Sequence, residues 1–270
     1  MYRHPSVQKS IKELKKWGAD FIGPVSGSLA CGEEGEGRLA DVSSIVEAAV
    51  NALTSKDLSK HNILVTAGPT VEPMDPVRYI SNRSSGKMGF AIAQAAARRG
   101  AKVTLISGQT ALVPPRNIRY VTVQKASDME AAVIKYLPGA TALIMAAAVA
   151  DFTPSLMSGS KIRKGDISAI TLKKTPDILK KAGSQKGKRI HIGFAAETGK
   201  GLESAKKKLR EKKLDLIVLN DITQKGAGFD VDTNIVTIID RNGKITDYPL
   251  MKKIELANTI LDMMLELKKG

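Results

Sequence analysis

The chain has 270 residues, 43% of them apolar, enough for a real core in one large domain or two smaller ones, so disorder is excluded as the general state. The balance of 42 Lys+Arg against 27 Asp+Glu, a formal +15, points to an anionic partner. No run of about eighteen apolar residues argues a membrane span. The basic N-terminus lacks the apolar stretch of a signal peptide, one cysteine rules out an internal disulfide, and no Cys/His spacing suits zinc. A cytoplasmic chain without a membrane partner is expected. Aromatics are 4% and none interleave with basic stretches, so a single-strand stacking platform is not expected, and a nucleic acid or a small phosphorylated substrate fits the charge equally well. The Lys-rich runs Lys9–Lys16 and Lys206–Lys213 read as solvated helix faces.

From about Ser6 to Trp17, Val7, Ile11 and Leu14 fall on one helical stripe, and a short strand is predicted over Phe21–Val25. A glycine-rich loop, Ser26–Asp41, leads to a helix capped by Asp41 or Ser43 that reaches about Leu53. Thr54–Lys60 reads as a polar linker. Beyond it the pattern alternates: strand 63–67, helix 86–99, strands 102–107 and 119–123, helix 127–136, strand 141–146. Ile190–Ala195 and Leu216–Leu219 are further central strands around a helix at Glu203–Lys213. A hairpin turns at Arg241-Asn242-Gly243, joining Asn234–Ile239 to Lys244–Thr246, and an amphipathic helix closes the chain over Lys253–Leu267. ILVTA and ALIMAAA are continuous apolar runs, as in strands buried on both faces of a parallel sheet. The expected fold is therefore α/β: a Rossmann-like three-layer sandwich with a mostly parallel central sheet and a C-terminal hairpin, preceded by a short helical and loop arm.

The most informative stretch is Asn62–Phe90, where a short strand runs through a Gly/Pro-punctuated loop into a helix. Phosphates bind at such junctions, because free N–H groups and the macrodipole favour an anion and glycines such as Gly86 and Gly89 allow close approach. The loop also carries Asp75, Arg78, Asn82, Ser84, Ser85 and Lys87. A Walker A loop is excluded, since Ser81 and Met88 stand where it needs Gly and Ser/Thr; the G-x-G-x-x-G fingerprint fails at Ser84. An NAD(P)-binding Rossmann-type oxidoreductase remains the alternative that the fold class alone allows. Ligands of open α/β sheets lie beyond the carboxyl ends of the strands. Polar or small residues gather there: Gly68 to Asn82; Ala147, Ala148 and Asp151; Phe194, Glu197 and Thr198; Asn220 and Asp221. Asp151 and Asp221 read equally well as cap or turn residues.

Taken together and in order, TAGPTVEPMDPVRYISNRSSGKMGF, AAAVADF, KIRK, KKTPDIL, GFAAET and AKKKLREKKLDLIVLND closely resemble the phosphopantothenate–cysteine ligase domain of coenzyme A biosynthesis, over Asn62–Gly270. The segment from Met1 to Asp41 resembles the C-terminal end of the phosphopantothenoylcysteine decarboxylase fused to that ligase in the bifunctional family. Residues 1–60 are accordingly expected to be a remnant decarboxylase tail plus linker, and 61–270 the ligase domain. The resemblance places the flavin site and catalytic histidine of the decarboxylase in a part that the matched segment lacks. His4 is not that histidine, so neither FMN nor decarboxylase activity is expected of this chain. Cys31, in LACGEEGEGR, is read as an orphaned piece of the decarboxylase motif.

The resemblance also implies the chemistry. The carboxylate of 4′-phosphopantothenate attacks the α-phosphate of a nucleotide, CTP in most prokaryotes, giving an acyl-cytidylate, and L-cysteine then displaces CMP. Asn82 resembles the asparagine that engages the acyl group, with a turn residue as the plain alternative, and Arg78 the arginine beside it. Gly68, Ser84 and Gly86 belong to the nucleotide loop, and Ala147 and Ala148 bring backbone groups close to the ligand. Asp151 helps hold Mg²⁺ with the triphosphate, and Lys161 resembles the lysine that pairs with phosphoryl charge. Phe194 marks where the cytosine edge is read, or else a core aromatic. Lys208 and Lys212, four apart, match lysines that clamp the triphosphate. The segment Gly226–Asp230 resembles a flexible segment that orders over the nucleotide, and a homodimer is expected.

Overall fold

The structure, a computed structural model, describes residues 1–270 apart from 29–31, 166–168, 198, 200, 222, 225, 229 and 270, and divides into two compact units, Met1–Ser55 and Lys56–Gly270. In the first, α1 (Pro5–Lys16) starts with proline at its first position and His4 as N-cap, the imidazole accepting the Ser6 N–H. Strands β1 (Val25–Ser28) and β2 (Glu34–Arg38) pair antiparallel and α2 (Val42–Leu53) follows. Here two expectations need correction. The strand begins where the predicted Phe21–Val25 strand ends, and the supposed glycine-rich loop is largely a hairpin. Its glycines erase the alternation that marks a strand, yet Gly27 is what lets the Arg38 side chain cross the pair, since a Cβ there would lie 3.1 Å from it. Cys31 lies outside the described residues.

The second unit is built in chain order from β3 (Asn62–Ala67), β4 (Val71–Pro73), β5 (Tyr79–Ser81), α3 (Lys87–Arg98), β6 (Lys102–Ser107), β7 (Arg119–Thr122), α4 (Ala126–Tyr136) and β8 (Ala142–Met145). Then come β9 (Phe152–Pro154), β10 (Leu172–Lys174), α5 (Ile178–Ser184), β11 (Ile190–Glu197), α6 (Leu202–Glu211), β12 (Leu216–Asp221), β13 (Thr233–Asp240), β14 (Ile245–Lys252) and α7 (Lys253–Lys269). One sheet has the order β14-β13-β12-β11-β8-β3-β6-β7, parallel from β12 to β7 and closed at the other edge by the antiparallel β13–β14 pair. The parallel strands run 3-2-1-4-5-6 in chain order, the doubly wound arrangement with its switch point between β3 and β8.

The layers follow from strand alternation. Ile63, Val65, Ala142, Ile144, Ile192 and Val218 point to α3 and α7, while Leu64, Leu143, Ile217 and Leu219 face α4, α5 and α6. The expected polar linker is not one. Leu58 is fully buried, and Asp57 takes two bonds from Arg99, at 2.9 and 2.6 Å, so residues 56–60 fold into the second unit. The KKTPDIL stretch contains a helix that periodicity had not suggested. At seven residues α5 is too short to show a period, but Asp177 caps it by accepting the Lys180 N–H at 3.0 Å. The β4–β5 and β9–β10 hairpins were likewise unforeseen.

At the amino end of β11, His191 is buried, and neither ring nitrogen has a partner. Burial, then Lys186, pushes its pKa down to about 4, against a weaker opposing pull from Asp215. The unfolded chain therefore binds a proton near pH 6.5 that the folded chain refuses, and stability must fall as pH drops from 6.5 towards 4. We predict a loss of roughly 3 kcal/mol across that window. Urea denaturation at pH 7 and pH 4 of wild type and His191→Leu checks it; an equally steep loss in the variant would assign the effect to other groups.

Candidate functional site

At the switch point two loops are stitched together. Gly68 leaves β3 at φ +71°, its carbonyl accepts the Ala148 N–H at 2.9 Å, and the Ala148 carbonyl accepts the Thr70 N–H at 3.2 Å. Thr66 and Thr70 hydroxyls accept the N–H groups of Ala147 and Ala150 at 3.2 and 2.9 Å. The N–H groups of Ala147 and Ala148 are therefore taken up by Thr66 and Gly68, and it is the main chain of these residues, held at the switch point, that the resemblance sets near the ligand.

The glycines divide the same way. Gly86, at φ +79°, ends the loop directly on Gly68: a Cβ on it would sit 3.2 Å from the Gly68 nitrogen. No side chain caps α3, so the N–H groups of its first turn remain available to an anion. Gly89 does something else. A Cβ on it would lie 2.5 Å from that of Ala67, so the close approach that Gly89 permits is that of α3 to β3. Gly108, unremarked in the sequence, is pressed on the Pro69 carbonyl, 1.8 Å from where a Cβ would be.

Asn82 is exposed, and its amide donates to the Ala148 carbonyl at 3.1 Å, joining the two motifs across the switch point. The Asn82 carbonyl accepts the Ser84 N–H at 2.9 Å, and the Ser84 hydroxyl accepts the Gly86 N–H at 3.4 Å. Asp75, which the sequence reading noted without assigning a role, organises the cations. It is buried, accepts the N–H groups of Val77 and Arg78 at 2.7 Å each, and takes the Ile162 N–H at 3.2 Å. Burial alone would raise its pKa, but those three donors and Arg78 hold it below the usual carboxylate value. The Arg78 guanidinium lies 4.0 Å from the oxygen that Ile162 also uses. Lys161, next to Ile162, is thereby set beside the Arg78 turn, exposed and without a partner among the described residues. The sequence signal was Asp75-Pro76, a turn-forming pair.

Asp151 follows β8, exposed; its carbonyl takes the Thr175 N–H at 3.0 Å while no described residue pairs with its carboxylate. Phe194 lies within β11 rather than after it, its half-buried ring packed on the core towards α7. Lys208 and Lys212 are both ion-paired, with Glu197 at 3.0 Å and Asp177 at 3.2 Å, and Lys212 stands one residue past the last helical residue of α6. Asp221 is a loop organiser. It accepts from Thr223 and Gln224 and from the Gly199 N–H, and these hydrogen bonds, the Thr223 hydroxyl first, lower its pKa to about 2. No group of three or more metal-ligating side chains occurs among the described residues.

A doubly wound sheet with a bridged switch point, an uncapped helix start and several cations at its carboxyl edge defines an α/β protein built to bind a phosphorylated ligand. Residues 58–267 match the family described as the DNA/pantothenate metabolism flavoprotein C-terminal domain, and this chain belongs to that family. Residues 1–54 match a second family, described as Flavoprotein. The chain is 44% identical to the coenzyme A biosynthesis bifunctional protein CoaBC of Bacillus subtilis, over 100% of this chain and 68% of that protein. It is 42% identical to a cysteine/cysteine sulfinic acid decarboxylase of an unknown prokaryotic organism, over 99% of this chain and 77% of that one. A crystal structure of the C-terminal domain of a CoaBC protein superposes with a TM-score of 0.69 at 43% identity, covering 80% of this chain and 100% of that one.

The Gly89 contact yields a test independent of activity. Gly89→Ala should cost about 1–3 kcal/mol by overpacking, whereas Gly139→Ala, where a Cβ meets nothing within 4 Å, should be close to neutral. Equal melting temperatures for the two variants would refute the assignment.

Proposed function

We infer that the second unit is a phosphopantothenate–cysteine ligase domain of coenzyme A biosynthesis, joining 4′-phosphopantothenate to L-cysteine with consumption of a nucleoside triphosphate, CTP in this reading. The observation that carries it is the Asn82–Ala148 bond, which puts two of the motifs shared with such ligases on one point of the sheet's carboxyl edge. The substrate carboxylate attacks the α-phosphorus as pyrophosphate leaves; the cysteine amine then attacks the acyl carbon, losing a proton as CMP departs. Charge builds on phosphoryl oxygens in the first step. Lys161, the only one of the candidate cations with no described partner, is poised for it, with Arg78 beside it. Asn82 spends one N–H on Ala148 and retains the other N–H and its oxygen to orient the acyl group. Lys208 and Lys212 wait on exchangeable, partly exposed carboxylates that a triphosphate would replace.

The residues fit a Mg²⁺ ion of the nucleotide kind. The exposed Asp151 carboxylate, unpaired among the described residues, would supply one hard oxygen ligand and the triphosphate others, which suits a cation that seldom takes an all-protein cage. When bound, it would neutralise phosphate charge. We place the chain in the cytoplasm, with neither nucleic acid nor membrane as partner; no described helix is long and apolar enough to cross a bilayer.

A homodimer is part of the proposal. Most exposed large apolar side chains of the second unit, among them Val77, Tyr79, Phe152, Leu156, Met157 and Leu172, lie on or beside the β4–β5 and β9–β10 hairpins, where β4 packs on β9. Sedimentation should give a dimer at micromolar concentration that Leu156→Asp shifts to monomer; an unchanged mass would move the interface elsewhere.

The decisive assay is pyrophosphate release from 4′-phosphopantothenate, cysteine and each nucleoside triphosphate. CTP should support it, and Lys161→Gln should lower it about a hundredfold or more with the melting temperature unchanged. Near-normal turnover by the variant would remove Lys161 from the site. Carbon dioxide release from cysteine without nucleotide would instead favour the activity in the name of the decarboxylase relative.

A further inference from the structure

The segment between β12 and β13 is held by its carbonyls. Lys87, the first residue of α3, donates to the Asp230 carbonyl at 2.6 Å and to the Asp232 carboxylate at 2.8 Å. Lys253, buried at the start of α7, donates to the Val231 carbonyl and, at 3.4 Å, to that of Gly228, while its own N–H bonds the Asp232 carbonyl at 2.9 Å. Thr233 and Asn220 side chains take the carbonyls of Gly226 and Ala227 at 2.9 and 3.1 Å. The two attachments differ in kind. Lys253 is enclosed, so breaking its bonds would strand a buried cation; its pKa is lowered by burial first and by Lys87 second. Lys87 is only partly buried, and Asp232 is 87% exposed, so their pair can open into water at little cost.

The place of Lys87 is unusual. An ammonium at the first position of a helix sits at the positive end of the macrodipole, where it is unfavourable unless an anion is near. Asp232 and the Asp230 carbonyl provide that counter-charge, and the residue before Lys87 is Gly86, which closes the turn of the nucleotide reading.

Resting on the nucleotide reading above, we propose that Lys87 is a latch: in the free protein it holds the 230–232 end of the β12–β13 segment, and on nucleotide binding its ammonium turns from Asp232 to the phosphate oxygens, freeing that end while Lys253 keeps the rest attached. Occupancy of the glycine turn and the position of this segment are then coupled through one cation with two competing anions.

The sign of one substitution tests it. Asp232→Asn removes the competing charge on an exposed side chain, so it should bind CTP about two- to fivefold more tightly than wild type, the effect of one exposed ion pair. Lys87→Gln should bind more weakly, and Asp232→Asn added to Lys87→Gln should gain nothing, since the cation it would release is gone. Hydrogen exchange at residues 230–232 should quicken when CTP is added to wild type and be quick already in Asp232→Asn. Calorimetry with CTP and Mg²⁺ reads the affinities. CTP binding that Asp232→Asn leaves unchanged or weakens overturns the latch alone, whereas wild type that binds no CTP overturns the nucleotide reading and the latch with it.

Discussion

The structure depends on backbone meeting backbone at the switch point. Pro69 and Ala148 pair as a bridge between loops, Gly108 lies on the Pro69 carbonyl, and Gly86 lies on Gly68. A Cβ at Gly108 or Gly86 would force these segments apart. From that contact the rest follows: α3 begins where β3 ends, Asn82 reaches the Ala148 carbonyl, and the residues after β8 are led towards Asp151. The cost is donor groups. Ala147, Ala148 and Ala150 give their N–H groups to the fold, whereas no side chain caps the first turn of α3.

Positive charge at the carboxyl edge is mostly committed. Lys87, Lys208, Lys212 and Arg78 each face a carboxylate, and only Lys161 among the candidate cations has no described partner. Exposed pairs of this kind are worth about 0–1 kcal/mol, so a ligand with several charges can displace them. Asp75 is the exception. Buried and held by three backbone donors, it fixes the Arg78 turn and the Lys161 segment as one piece. The surplus of +15 across the chain therefore describes only a general anionic preference.

Long, strongly patterned elements were legible. ILVTA and ALIMAAA announced central parallel strands, and the Arg241-Asn242-Gly243 turn announced the hairpin that closes the sheet. Short elements were not. The hairpins β1–β2, β4–β5 and β9–β10 and the seven-residue α5 are too brief or too glycine-rich for periodicity to register, although Asp75-Pro76 and Asp177 carried local turn and cap signals. The strand predicted over Ile190–Ala195 runs two residues further, to Glu197, which leaves Phe194 well inside it.

The sequence by itself determined the α/β class, the parallel core and the motif set, because apolar periodicity and local turn chemistry are properties of neighbouring residues. It also marked the residues on which family membership rests. Only tertiary structure decided what each small or charged residue is for. Gly86 and Gly89 look alike in sequence, but one turns the loop onto Gly68 and the other lets α3 touch β3. Lys161 and Lys208 look alike, but one has no partner among the described residues and the other is held by Glu197. These differences arise from contacts between segments tens of residues apart, and no local pattern encodes which atoms a distant loop will bring within reach.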